Sequence, residues 1–187
     1  WLCTRLRETD CEVVRYQTAG DDQSKIADEI REAWKEADLI LTTGGVSVGE
    51  KDLLPGVIEN LTGNVLFHGI QVKPGMPTML SVVKGTPVLS LSGNPFAVEA
   101  LFEVLAGGYL TDMEASRYLQ KNQMKILKQT FVKTGKMKRI VKGRCDESGV
   151  YLPQIQKNGQ LKNGIGSNCL VIFRKVNGRM QKEKPFG

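Results

Sequence analysis

The feature that most constrains the fold of this chain is a glycine-rich run between two apolar segments. Residues 42–52 read Thr-Thr-Gly-Gly-Val-Ser-Val-Gly-Glu-Lys-Asp, after the strand-like segment 39–41 and before a helix-like segment that starts near Leu53. A strand, a glycine-rich turn and a helix in this order bring backbone N–H groups and a helix N-terminus to an anion. A tight turn with a capping carboxylate is the alternative, and the run alone leaves both open. It matches neither of the familiar nucleotide-binding fingerprints.

The first 118 residues alternate between strand-like and helix-like segments. A helix is predicted over 24–37 and another over 96–105, where Asn94 is a good N-cap and Pro95 a good first helical residue. Strands are predicted at 12–16, 38–41, 65–72 (interrupted), 78–83 and 88–91. This alternation indicates an α/β fold with a mostly parallel sheet and helices on both faces.

The chain changes character near residue 119. Residues 1–118 carry 10 Lys and Arg against 17 Asp and Glu, a net charge of −7, whereas residues 119–187 carry 16 against 3, a net charge of +13. The second part also changes to short strand patterns, at 124–132, 139–142, 150–156 and 169–176, separated by glycine-containing turns. We therefore predict two domains, 1–118 and 119–187, the second a small all-β, barrel-like domain.

Composition excludes several classes of protein. The chain has 41% hydrophobic and 25% charged residues and no apolar stretch near the ~20 residues of a membrane span. Its four cysteines form no C-x-x-C pair and His68 is its single histidine, so a zinc site is not expected. Scattered thiols favour a cytoplasmic protein. The start at Trp1, without an initiator Met, favours a fragment.

Three segments are the best candidates for chemistry. In open α/β sheets, ligands bind beyond the carboxyl ends of the strands, where the loops 42–52 and 92–95 are expected to lie. The segment 72–78 places Lys73 in a turn that two prolines stiffen, which suits a cation held at a fixed position. A solvated turn charge is the alternative for Lys73.

Together these segments resemble the molybdenum insertases (molybdopterin molybdenumtransferases of the MoeA, plant Cnx1 E-domain and gephyrin E-domain type). The matching motifs are T-T-G-G-V-S-V-G-E-K-D, V-K-P-G-M-P-T and L-S-G-N-P, in family order and spacing. The resemblance implies a molybdopterin-binding α/β domain, here without its first strand and the two domains that precede it, followed by a small β-domain. It also implies an enzyme that takes adenylylated molybdopterin, molybdate and Mg²⁺, inserts the metal and releases AMP. A homodimer and an upstream molybdopterin adenylyltransferase are the implied partners.

The resemblance also assigns residues to the site. Asp52 and Asp21 match acidic positions, with Asp52 the expected Mg²⁺ ligand, and Lys73 matches a basic position that would hold molybdate. The residues expected to line the cleft for pterin and nucleotide are Thr43, Gly44, Gly45, Ser47, Gly49, Pro74, Gly75, Pro77, Gly93, Asn94 and Pro95.

Departures from the family pattern leave a second hypothesis open. Met76 stands where the family usually has a second Lys, Gly69 where it has a further Lys, and Ser92 where it has Pro. In the β-domain, Lys136 stands where the family has an Arg. A lysine lacks the planar fork of donors with which arginine binds an oxyanion through two hydrogen bonds. These changes affect the molybdate side most, so a binding module without insertion activity is the alternative. Nucleic-acid binding by the basic end is disfavoured, because aromatic residues for base stacking are scarce there.

Overall fold

The computed structural model describes residues 1–9, 11–47, 49, 52–106, 123–132, 135–153 and 166–173. The chain divides into two compact units. The first consists of Trp1–Ile70 with Gly75–Leu119, and the second of Gln71–Pro74 with Gln120–Gly187. The sequence analysis did not anticipate that the short segment Gln71–Pro74 groups with the second unit.

The described residues of the first unit form four α-helices, two of which begin at a residue whose side chain caps the helix. The four helices are α1 (Leu2–Arg7), α2 (Gln23–Ala33), α3 (Leu54–Asn60) and α4 (Pro95–Leu101), and a π-helical turn at Phe102–Ala106 extends α4. The Asp22 carboxylate accepts from the backbone nitrogens of Ser24 and Lys25 at 3.0 and 3.1 Å and so caps α2. Asn94 caps α4 in the same way, as the sequence predicts. None of the helices in the described ranges is long and apolar enough to cross a bilayer.

The sheet of the first unit is mixed, so the prediction of a mostly parallel sheet is wrong for the described strands. Its strands are β1 (Ile40–Thr43), β2 (Asn64–His68), β4 (Met79–Val83) and β5 (Thr86–Leu91), in the order β1-β5-β4-β2. Only β1 and β5 pair in parallel, while β4 pairs antiparallel with both β5 and β2. Residues 12–16 form no strand.

The hairpin between β4 and β5 explains the mixed sheet. Lys84 and Gly85 have φ angles of 52° and 90°, and a two-residue loop with two positive φ values is a type I′ turn, which joins antiparallel neighbours. No helix separates β2, β4 and β5 along the chain. Consecutive strands without a crossover helix pair antiparallel, because a parallel connection needs a dozen or more residues.

The core of the first unit lies between one face of the sheet and the helices α2 and α3. Ile40, Met79 and Val88 from the sheet pack with Ile30 of α2 and Ile58 of α3, all 8% exposed or less. The alternate residues of β5, Leu89 and Leu91, point to the opposite face and are buried as well. The central strand β5 is therefore covered on both faces, and its carboxyl end leads into the second candidate loop.

The second unit is built around one long strand, β6 (Lys138–Cys145). It pairs in parallel with β3 (Val72–Lys73) and antiparallel with β7 (Val150–Tyr151) and β8 (Cys169–Phe173). Its core contains Val141, Val150 and Phe173, and the ring of Phe131 stacks on that of Phe173 at a centroid distance of 4.2 Å. The predicted strand over 124–132 is reduced to a single bridge between Leu127 and Val150. A closed barrel stays a prediction.

Candidate functional site

The glycine-rich loop begins where β1 ends and is tied to its neighbours at both ends. The Gly44 nitrogen donates to the Leu91 carbonyl at 2.9 Å, and the Leu54 nitrogen donates to the Gly45 carbonyl at 3.0 Å. Gly44 and Gly45 have φ angles of 84° and 64°, a region that favours glycine because a side chain would be strained there. The loop thus connects the carboxyl end of β1 to the start of α3.

The second candidate loop lies directly against the first. A Cβ on Gly93 would lie 3.5 Å from the Cα of Gly44, so the two backbones run close together. Asn94 Oδ1 accepts from the Ala97 nitrogen at 3.1 Å, so this oxygen serves α4 as a cap, and any ligand contact of Asn94 would come from its Nδ2. Pro95 is exposed at the first position of α4. The structure therefore brings together the 42–52 and 92–95 motifs, as the sequence analysis expected.

Asp52 closes a turn inside the glycine-rich loop. Its Oδ2 accepts from the Gly49 nitrogen at 2.9 Å, and its own nitrogen donates to the Gly49 carbonyl at 2.9 Å. Asp52 is not the N-cap of α3, which is Leu53 without a side-chain cap bond. Because a carboxylate has two oxygens, this arrangement engages one in the loop and leaves Oδ1 as a candidate cation ligand.

Asp21 and the glycine-rich loop line one cavity of the first unit. The cavity has a volume of about 920 Å³ and is lined by parts of α1, α2, β1 and the segment 11–21, together with Thr43, Gly44 and Gly45. Asp21 is exposed, whereas its neighbour Asp22 is engaged as the cap of α2. The cavity is of the size that small-molecule sites usually have.

The segment 72–78, which contains Lys73, is divided between the two units. In the first unit, Gly75 packs so closely on α4 that a Cβ there would overlap the Leu101 side chain. The Thr78 hydroxyl donates to the Gly75 carbonyl at 2.7 Å, and Pro77 is half-buried while Met76 is 45% exposed. Lys73 and Pro74 belong to the second unit. There Lys73 is exposed on β3, in register with Arg139, so it lies in a strand and not in a turn.

The sequence analysis assigned no role to three hydroxyl groups near the loops. Thr42 Oγ1, Ser90 Oγ and Ser92 Oγ are buried and have no hydrogen-bond partner among the described residues, although buried hydroxyls usually have one. Thr42 and Ser90 are paired in register at the carboxyl ends of β1 and β5. The available signal was Ser90, a serine near the end of the buried strand β5.

His68 was also missed as a contributor to the site. The sequence analysis considered it only as a zinc ligand. Its Nε2 lies 2.7 Å from the carbonyl oxygen of Val46, in the glycine-rich loop. That contact joins residues 22 positions apart, and nothing in the local sequence indicates it. The described residues contain no cluster of three or more His, Cys, Asp or Glu that could hold a metal ion by itself.

The chain is similar to a known protein family and to proteins of solved structure. Residues 1–112 match the family model described as "probable molybdopterin binding domain". A molybdopterin molybdenumtransferase of Staphylococcus aureus is 29% identical over 167 residues, which cover 87% of this chain and 40% of that protein. The solved structure of a molybdopterin biosynthesis MoeA protein from Pyrococcus horikoshii is 27% identical with a TM-score of 0.72, covering 92% of this chain and 42% of its own.

A further structure supports the fold alone. A molybdenum cofactor biosynthesis protein from Pyrococcus furiosus has a TM-score of 0.70 at 20% identity, over 97% of this chain and 60% of its own. The chain spans about two fifths of the length of the S. aureus and P. horikoshii relatives.

Proposed function

Because the chain belongs to the family of probable molybdopterin binding domains, we propose that it binds molybdopterin and takes part in molybdenum cofactor biosynthesis. The observation that carries the proposal is the close approach of the two glycine loops, with a Cβ on Gly93 only 3.5 Å from the Cα of Gly44. Molybdopterin carries a phosphate, and backbone N–H groups of such loops are well suited to bind one.

The first unit supplies most of the proposed binding residues. Thr43, Gly44 and Gly45 line the cavity that also contains Asp21, and Gly93 follows the strand next to β1. We assign pterin and nucleotide binding to these residues together with Ser47, Gly49, Pro74, Gly75, Pro77, Asn94 and Pro95. Lys73 keeps the role that the resemblance gives it, as the cation that binds molybdate.

A Mg²⁺ ion bound at Asp52 would need further oxygen ligands from a substrate. Mg²⁺ is usually held by one or two carboxylates together with phosphate oxygens and water. Asp52 would provide one carboxylate oxygen, since its other oxygen accepts from Gly49. With a phosphate-bearing ligand in place, Asp52 would hold the ion and Mg²⁺ would neutralise charge on the phosphates.

We further propose that the protein is the molybdopterin molybdenumtransferase that its relatives' name describes. It would take adenylylated molybdopterin and molybdate, transfer the metal to the dithiolene sulfurs and release AMP. The S. aureus relative is named a molybdopterin molybdenumtransferase, which supports the transfer of molybdenum. The homodimer, the adenylyltransferase partner and the cytoplasmic location remain predictions.

A molybdopterin-binding module without insertion activity is the second candidate. Met76 favours it, because the family has a lysine at this position. The Met76 side chain is 45% exposed, so a lysine would be accommodated there. Gly69 has a φ of 93°, and a lysine at that position would be strained.

AMP release separates the two candidates. The transferase predicts that AMP is released from adenylylated molybdopterin only when molybdate is present. Binding without molybdate-dependent release would contradict the transferase and support the binding module. Restored release in Met76→Lys would then locate the lost activity at that position, with Met124→Lys, at a fully exposed methionine of the second unit, as the control for added charge.

A further inference from the structure

His68 lies at the end of a row of residues that crosses the whole sheet of the first unit. The strand registers pair Thr42 with Ser90, Ser90 with Met79, and Met79 with His68. Directly paired residues share a face of the sheet, so His68 lies on the same face as Met79, which is fully buried in the core with α2 and α3. The glycine-rich loop leaves the sheet at the other end of this row, after Thr43.

In the hydrogen bond between His68 and the loop, the donor and the acceptor can be assigned. Its two atoms, Nε2 of His68 and the carbonyl oxygen of Val46, are 2.7 Å apart. A carbonyl oxygen can only accept, so Nε2 must carry the proton and donate. Both the neutral Nε2–H tautomer and the cationic ring can make this bond.

Val46 occupies the part of the loop between the two ends that other bonds fix. Gly44 is bonded to β5, Gly45 to the start of α3, and Gly49 to Asp52. Val46 itself is 1% exposed and packs into the core. Glycines allow a loop many conformations, so the conformation that is populated depends on contacts from outside the loop. Removing the His68 side chain would leave a carbonyl of a buried residue without this partner.

The consequence for binding follows from the planarity of the peptide bond. The Val46 carbonyl and the Ser47 N–H belong to one rigid plane and point in opposite directions. A bond that holds the carbonyl toward β2 therefore fixes the direction of the Ser47 N–H, one of the backbone donors in the proposed anion site. We propose that His68 is a positioning residue, which orients the Val46–Ser47 peptide so that the Ser47 N–H is ready to bind the anionic group of the ligand. This inference rests on the proposed molybdopterin binding.

Two variants at position 68 test the inference. His68→Gln keeps an N–H donor at a reach comparable to Nε2, whereas His68→Ala removes the donor. Leu66→Ala, on the same strand and 56% exposed, is the matched control for the loss of side-chain surface from β2. All variants are compared as the full chain, in anaerobic titrations with molybdopterin and in hydrogen–deuterium exchange of peptides spanning residues 44–54.

We expect that, of the three variants, His68→Ala alone binds molybdopterin more weakly. Its affinity for molybdopterin should fall about five-fold to ten-fold, as for the loss of one hydrogen bond, and its loop amides should exchange faster than those of the native chain. His68→Gln and Leu66→Ala should stay within about two-fold of the native affinity.

The failure of this inference differs from the failure of the proposed function. Unchanged affinity and unchanged loop exchange in His68→Ala, with a native chain that binds, would overturn the inference and leave the function standing. A His68→Gln variant as weak as His68→Ala would also overturn it, because the donor would not be what matters. A native chain that binds no molybdopterin would overturn the proposed function itself and the inference that rests on it.

Discussion

At the scale of single residues, Asp52 combines the two interpretations of the glycine-rich loop that the sequence leaves open. It closes a turn with Gly49, as the structural interpretation requires, and its second carboxylate oxygen would bind the cation that we propose. The two roles are compatible because each uses a different oxygen.

Replacing Asp52 by Asn separates these roles. An Asn side chain keeps an oxygen that accepts from Gly49, so the turn should persist, but its neutral amide binds a hard cation more weakly than a carboxylate does. We expect the Mg²⁺ concentration needed for half-maximal binding of adenylylated molybdopterin to rise about ten-fold or more, with the thermal midpoint of unfolding nearly unchanged. Asp28→Asn, which removes an exposed carboxylate from α2, is the control. Equal Mg²⁺ dependence in both variants would exclude Asp52 as the ligand.

What the sequence could predict at this scale depended on whether the signal was local. The glycines of positive φ and the Asn94 cap follow from neighbouring residues, and both are found. The His68 contact with Val46 depends on strand register and on a loop 22 residues away, so no local pattern could indicate it.

At the scale of elements, α3 holds the far end of the glycine-rich loop in place. Its first residue, Leu54, bonds to Gly45, and its apolar face, with Val57 and Ile58, is fully buried against the sheet. The position of the loop therefore depends on the packing of this short helix, since an isolated helix of 7 residues would not be stable in water.

Truncating the buried face of α3 should destabilise the first unit. Ile58→Ala removes a side chain that is fully buried and contacts the position of Gly63, and the expected loss is about 2–5 kcal/mol in the free energy of unfolding. Glu59→Ala, on the exposed side of the same helix, should change it by less than about 0.5 kcal/mol. Urea titration of both variants measures the difference, and similar losses would show that α3 is not packed as described.

The elements also show why strand direction was predicted wrongly. Hydrophobic patterns located β1, β4 and β5 within a few residues, but a pattern does not state which way neighbouring strands run. The Lys84-Gly85 turn carried that information, because a two-residue turn with positive φ values makes a hairpin.

At the scale of the whole molecule, two units differ in charge as well as in structure. The first unit has 9 Lys and Arg against 17 Asp and Glu, a net charge of −8, and the second has 17 against 3, a net charge of +14. The proposed pterin and nucleotide contacts lie mostly in the acidic first unit, whereas Lys73 belongs to the basic second unit. For an anionic ligand, this makes the uncharged donors of the glycine loops more important, because the net charge of the first unit repels the ligand.

Molybdopterin binding by a matched pair of glycine variants tests the central claim most directly. Gly45→Ala and Gly85→Ala both place a side chain at a positive φ with no atom within 4 Å of the new Cβ, so their backbone strain is similar. Only Gly45 lies in the proposed site, while Gly85 lies in the β4–β5 turn. The account predicts saturable binding by the native chain in anaerobic calorimetry, at least about ten-fold weaker binding by Gly45→Ala, and near-native affinity in Gly85→Ala. No binding by the native chain, or equal affinity in the two variants, would contradict it.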